Sequence, residues 1–271
     1  MRNQISIATL IKSPFLILRT VFTICLCASF MMAQFDGVAI RSNDKITKEA
    51  LDAALNAFGG MDKINSVKSL VISGTETMVI RGLSSGDSTE TMKFEIRVRW
   101  PDDFIRIRSY PDRKTWAGIS QGTILTQLEG VPEIRRKDIH NREIIHSAHM
   151  LLGILMKSNS RQLLLTSTNE PEVFDLSFPQ SWGVVSKITI DSKTKYPSVI
   201  EYPEIGALGG GITIYQFSSD RFSVEGIMFP RVINISSTAP MLGTTTTMEL
   251  KIDNVRVNPN LTLKDFEVPV K

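Results

Sequence analysis

Apolar and polar positions alternate with a period of two over most of this chain, and with a helical period in two places. The clearest alternation runs from residue 91 to 110. Met92, Phe94, Ile96, Val98 and Trp100 alternate with Lys93, Glu95, Arg97 and Arg99. Successive strand side chains point to opposite faces, so the pattern predicts a strand with one apolar and one charged face. Pro101-Asp102-Asp103 interrupts it, because proline donates no ladder hydrogen bond and aspartate favours turns. A returning strand follows. Ile105 and Ile107 are expected on the apolar face, and Arg106 and Arg108 on the charged, outer one. A sheet that is apolar on one side must cover something, either a packed core or a hollow that holds a guest.

The rest of the chain supplies the other elements. Thr47 is placed to cap a helix whose stripe is Ala50, Leu51, Ala54, Leu55 and Phe58, with Gly59-Gly60 as its left-handed stop. Residues 61–67 form a second short helical turn. From residue 68 the period becomes two, with Leu70, Ile72, Met78 and Ile80 on one face. Residues 114–120 and 123–127 read as a further strand pair, which makes a meander. Over 135–156 the pattern turns helical again: Ile144, Ala148, Leu151 and Leu155 share a face. A second strand block runs from 161 to 253. The chain ends in an extended tail with Phe266 and Val268 as anchors. With no low-complexity linker and no internal repeat, residues 34–271 are expected to form one domain.

The first residues change the address of the chain. Arg2, Lys12 and Arg19 precede an apolar run over 21–32, and no acid occurs before Asp36. A basic start, a short apolar segment and a small residue, Ala33, predict a secretory signal over 1–33. The run is about a dozen residues where a membrane span needs ~20, so no stable transmembrane span is expected in the mature form. The whole chain has 31 Lys plus Arg against 28 Asp plus Glu. Removing the signal leaves these balanced, which gives no reason to expect a nucleic-acid partner. Both cysteines, Cys25 and Cys27, leave with the signal. The mature fold then rests on its apolar core and not on disulfides.

Several stretches now carry a resemblance. Residues 57–64 read Ala-Phe-Gly-Gly-Met-Asp-Lys-Ile, followed by Val67-Lys68-Ser69-Leu70 and Ser73-Gly74. Trp100-Pro101-Asp102-Asp103-Phe104 leads into Ile105-Arg106-Ile107. Val224-Glu225-Gly226-Ile227-Met228-Phe229-Pro230 enters a late strand, and Val255-Arg256-Val257-Asn258-Pro259 leads to Phe266-Glu267-Val268-Pro269 at the end. In this order they resemble the outer-membrane lipoprotein carrier family, the LolA/LolB-like proteins. The resemblance implies a mainly β (α+β) fold: an unclosed, curved antiparallel β-barrel with helices covering the open side. It also implies an apolar hollow that takes acyl chains of lipids or lipoproteins.

Candidate chemistry is sparse. His140, His146 and His149 lie with Glu143 in the central helix. One helix offers no convergent third ligand, so a solvated face is the reading and no metal is expected. Gly118-Ile119-Ser120-Gln121-Gly122 matches a hydrolase nucleophile elbow, but Ser120 would need a helix after it and a strand follows. Gly209-Gly210-Gly211 lies between strands and opens no helix, so it is read as a hairpin and not a phosphate cradle. The stripe of Arg97, Arg99, Arg106 and Arg108 is either an anion site or the solvated outer face, and the latter is preferred.

These readings point to a non-catalytic carrier in the periplasm or cell envelope, with no cofactor. Met92, Phe94, Ile96, Trp100, Ile105, Ile107, Leu151 and Leu155 are its candidate cavity lining. Its partners would be lipid acyl chains or a lipoprotein, with an envelope donor or acceptor protein. The alternative is an envelope interaction domain whose hollow is filled by its own side chains. A secreted hydrolase built on Ser120 is the third reading.

Overall fold

Helix gives way to sheet where the hydrophobic period drops to two, at residue 69, in a computed structural model of the chain. The structure describes residues 41–42, 45–82, 86–100, 103–121, 123–128, 134–136, 164–177, 185–204, 211–239 and 243–268. The expected secretory segment, the expected central helix with Leu151 and Leu155, the three histidines and Gly209-Gly210 lie outside the described residues.

In chain order the elements are β1 (Arg41–Ser42), α1 (Lys45–Ala57), α2 (Met61–Ser66), β2 (Ser69–Gly82), β3 (Ser88–Arg99), β4 (Asp103–Ser109), β5 (Lys114–Ser120), β6 (Thr123–Leu128) and β7 (Ile134–Arg136). The second block is β8 (Leu164–Ser167), β9 (Val173–Ser177), β10 (Val185–Ile190), β11 (Pro197–Glu204), β12 (Gly211–Phe217), β13 (Arg221–Val224), β14 (Ile227–Pro230), β15 (Val232–Ala239) and β16 (Thr244–Val257). A 3-10 turn, Leu263–Phe266, follows. Helix α1 starts at Lys45, so Thr47 lies inside its first turn and is fully buried, not at its cap.

Among the described residues, fourteen strands form one sheet in the order β1-β8-β9-β10-β11-β12-β15-β16-β2-β3-β4-β5-β6-β7. All pairs are antiparallel except β1 with β8. The two end strands are not joined, so the sheet is unclosed. Each block is a meander, and the blocks meet where the last strand, β16, pairs with the first long one, β2. A bulge between Ile252 and Asn254 bends this central ladder beside Gly74. A Cβ at Gly74 would sit 1.9 Å from the Lys251 carbonyl oxygen, so only glycine fits there.

Cross-strand partners share a face, so the register sorts the side chains. The inner face carries Leu70 and Ile72 of β2, Phe94 and Ile96 of β3, Leu250 of β16 and Ile200 of β11, all buried. Leu51, Ala54, Leu55 and Phe58 of α1, with Ile64 of α2, pack on this face and complete the main core. The stop after α1 is a docking joint. Gly59 has φ 126°, and a Cβ there would meet the Gly226 carbonyl oxygen at 2.2 Å. Gly226 is the second turn residue of the β13–β14 hairpin, where Glu225 and Gly226 both have positive φ. The Met228 amide donates to the Phe58 carbonyl at 3.1 Å. Two of the sequence stretches that carried the family resemblance therefore touch, although they are far apart in the chain.

A second, smaller core lies on the opposite face. Ile105 and Trp116 pack there against Phe266 and Val268 of the tail, with Ile107 and Leu261 at the margin. Phe266 is fully buried, worth roughly 1.5–3 kcal/mol. A capping box holds the turn: the Asp265 carboxylate accepts from the Thr262 amide at 2.7 Å and its hydroxyl at 2.9 Å.

Candidate functional site

The inner face changes character along its strands. At the α1 end the apolar positions of β2 and β16, Leu70, Ile72, Val255 and Val257, are buried. Past Glu76 on β2 the same stripe continues as Met78 and Ile80, which are only half-buried. Strand β16 repeats this, from buried Leu250 to half-buried Met248 and Thr246. Apolar surface on one face is therefore packed at one end and left partly open at the other, among the described residues.

The expected lining residues divide between the two faces. Met92, Phe94 and Ile96 are on the inner face, each at most 3% exposed. Phe94 and Ile96 belong to the main core, and Trp100 packs half-buried against it. The Trp100 indole N–H is buried with no hydrogen-bond partner among the described residues. Ile105 and Ile107 are on the other face, under the tail, and so do not share a wall with Phe94 and Ile96. Leu151 and Leu155 fall outside the described residues.

The correction has a simple cause. In the β3–β4 hairpin Arg97 pairs with Ile105, Ile96 with Arg106 and Phe94 with Arg108. Even positions therefore face even positions. Side-chain period is two, so a loop one residue longer or shorter would have reversed every side chain of β4. The loop length, not the alternation within each strand, sends Arg106 and Arg108 inward.

Inside, these arginines meet Glu76, which is fully buried. Arg108 donates from Nη2 to Oε1 at 2.9 Å and from Nε to Oε2 at 3.1 Å. Arg106 Nη2 donates to Oε2 at 2.7 Å. Glu76 is two strands away from β4, so both arginine arms lie across β3. Arg108 Nη2 reaches further, to Met248 Sδ on β16 at 3.5 Å. Burial, and next the charge of Arg108, lower the Arg106 guanidinium from its ordinary value, while Glu76 and then Tyr215 oppose this. Tyr215 stands on β12, on the far side of the inner face. The guanidiniums thus reach across β3 to β2 and β16. The Arg106 Nε–H is buried and has no hydrogen-bond partner among the described residues.

This cluster was missed because Arg106 and Arg108 were assigned to the outside. One signal for it exists in the sequence. Glu76 falls in frame with Leu70, Ile72, Met78 and Ile80, a lone acid within an apolar stripe. Such a carboxylate needs a cation on the same face.

The outer arginines are held differently. Arg97 Nε donates to Glu95 at 2.6 Å and Nη1 to the Asp265 carbonyl at 2.8 Å. Arg99 Nε donates to Asp103 at 2.8 Å and lies over the Phe266 ring. Asp103 also accepts from the Ser120 hydroxyl at 2.7 Å. Strand β6, not a helix, follows Ser120, so the backbone is not that of a nucleophile elbow. An open groove of about 400 Å³ also lies on the outer face, across β12, β15, β16 and β2. Thr77, Asn234, Ser236, Thr247 and Glu249 line it together with Val79, Ile214, Ile235 and Met248, so its wall mixes polar and apolar side chains. Among the described residues no group of His, Cys, Asp and Glu is placed to hold a metal, and no helix is long and apolar enough to cross a membrane.

No family model and no curated protein sequence matches this chain. Solved structures do. A LolA superfamily protein from Nitrosomonas europaea aligns with a TM-score of 0.50 over 82% of this chain and 97% of that one, at 10% identity. A DUF1329 family protein from Desulfovibrio piger aligns at 0.48 over 83% and 98%, with 13% identity. A domain assigned to outer membrane lipoprotein sorting, from Vibrio parahaemolyticus, aligns at 0.47 over 81% and 97%, again with 13% identity. The chain has the LolA-like fold: mostly β, with one large unclosed antiparallel sheet and few helices. At such identity the likeness speaks of fold alone.

Proposed function

We propose that this protein is a secreted, non-catalytic carrier of acyl chains, exported by residues 1–33 and working in the periplasm or cell envelope. The observation that carries this reading is the half-buried continuation of the inner apolar stripe at Met78, Ile80 and Met248. The fold shared with a LolA superfamily protein supports it. In this reading Met78, Ile80, Met92 and Met248 line the hollow, with Phe94 and Ile96 as its floor. Leu151 and Leu155 are proposed to close it. Burying acyl chains supplies roughly 0.8 kcal/mol per CH₂, so binding needs no covalent chemistry. Methionines suit guests of varied shape, because the thioether arm is flexible and polarizable. Transfer onward would require a donor or acceptor that binds the cargo more tightly.

The test is lipid mass spectrometry of the protein purified natively from cells, with Met78→Glu alongside. Near-stoichiometric acyl lipid in the wild type is expected, lost in the variant while its circular dichroism is unchanged. A folded wild type without lipid, and with no uptake of a fluorescent fatty acid, would overturn the carrier and leave an envelope interaction domain.

A further inference from the structure

The inner charge cluster is out of balance in a way that asks for a guest. Arg106 and Arg108 share one carboxylate, Glu76, and the structure places no second acid against either guanidinium among the described residues. Glu76 is saturated by three N–H bonds from the pair. Among the described residues, one positive charge of this cluster is therefore unmatched. A buried guanidinium N–H without an acceptor is costly, and among the described residues Arg106 Nε–H has none. Burying two cations with one anion only to brace a sheet is a poor use of them. Replacing such groups by apolar side chains is often neutral or stabilising.

The cluster is also reachable. The Arg106 and Arg108 side chains keep 16% and 25% of their exposure. Ala117, the cross-strand partner of Arg106 on β5, is exposed, and Thr115 beside Arg108 is half-buried. On the other side the guanidiniums face half-buried Met78 and Met248 across Glu76. One row beyond Met78 and Met248, Ile80 is followed by hydroxyls: Thr246, Ser237 and Thr213. The inner face thus passes from hydroxyls through methionine side chains to a cationic end.

We propose that Arg106 and Arg108 form an oxyanion subsite inside the hollow, and that the cargo is an acidic amphiphile whose carboxylate or phosphate binds there while its chain lies over Met78 and Met248. The inference rests on the carrier reading and adds the chemistry of the cargo head. Guanidinium suits both oxyanions, since its planar N–H fork bonds two oxygens at once. The bound anion restores charge balance and gives Arg106 Nε–H an acceptor. The cargo is fixed in direction, head toward β4 and tail toward the β2–β16 rim.

The experiment is displacement of the neutral probe N-phenyl-1-naphthylamine from the purified protein by oleate, oleyl alcohol and 1-oleoyl lysophosphatidate. The wild type is expected to bind at least one acid roughly ten- to a hundredfold tighter than the alcohol, the range of a charge-assisted hydrogen bond. Whichever acid is tighter names the head as fatty acid or phospholipid. In Arg106→Gln the preference should shrink to about threefold or less, with the alcohol unchanged. Arg108→Gln serves as the second variant if the first does not fold. Equal displacement by acid and alcohol in the wild type, or a preference that survives in both variants, overturns the subsite while the carrier stands. Failure of the protein to take up the probe or any of the three chains overturns the carrier itself.

Discussion

The β3–β4 hairpin carries two arginine pairs that look alike in the sequence and stand in different surroundings. Arg97 and Arg99 face outward and meet Glu95, Asp265 and Asp103, three carboxylates for two cations. Arg106 and Arg108 face inward and share Glu76 alone among the described acids. The outer pair also has a structural task. It ties the tail to the sheet, through Arg97 to Asp265 and through Arg99 over Phe266. The inner pair crosses this face to one acid, Glu76, and to the Met248 sulfur. Excess anion outside and excess cation inside teach that the outer set is bracing, and that the inner set is short of one anion among the described residues.

The comparison can be broken by stability measurements, the largest effect first. Glu76→Ala leaves two mostly buried guanidiniums without a counter-charge and should cost about 3–5 kcal/mol in urea unfolding, with an unchanged m-value. A cost no greater than that of the outer substitutions would mean the inner cluster is solvated, and the contrast would fall. Asp103→Ala removes an acceptor for Arg99, Ser120 and the Gln121 amide at a site 7% exposed. It should cost about 2 kcal/mol by the same measurement.

Asp265→Asn is the smallest, roughly 0.5 kcal/mol or less, because its pair with Arg97 is about a third exposed. It is sharpened by pH. Bonds from the Thr262 amide and hydroxyl hold the Asp265 carboxyl below its ordinary value. A depressed carboxyl contributes stability above its unfolded pKa of about 3.9 and loses it as pH falls through the folded value. Wild type and Asn variant should therefore differ at pH 7 and converge in acid, once pH falls below the folded value. A difference that persists in acid would assign the effect to packing and not to charge.

Much of the fold was legible before any coordinates. The α1 stripe of Leu51, Ala54, Leu55 and Phe58 is buried as its spacing requires, and Phe266 and Val268 anchor the tail. The strands lie close to where the period of two placed them, because alternation is set by backbone geometry within each strand. The candidate lining was legible only within single strands. Met92, Phe94 and Ile96 share a face, but Ile105 and Ile107 do not join them. Nothing inside β4 records which of its faces turns inward.

What the sequence determined by itself is therefore local: where helices and strands lie, and which residues of one strand share a side. The tertiary structure decided the rest. Loop parity at residues 100–102 set the face of β4, and β16 closing on β2 joined two meanders into one sheet. Glu76 and Arg106 are thirty positions apart in the chain, and their charge reads as ordinary surface until the sheet folds. Pairing across strands, which depends on hydrogen-bond register and not on residue type, is what turned an expected outer stripe into an interior cationic site.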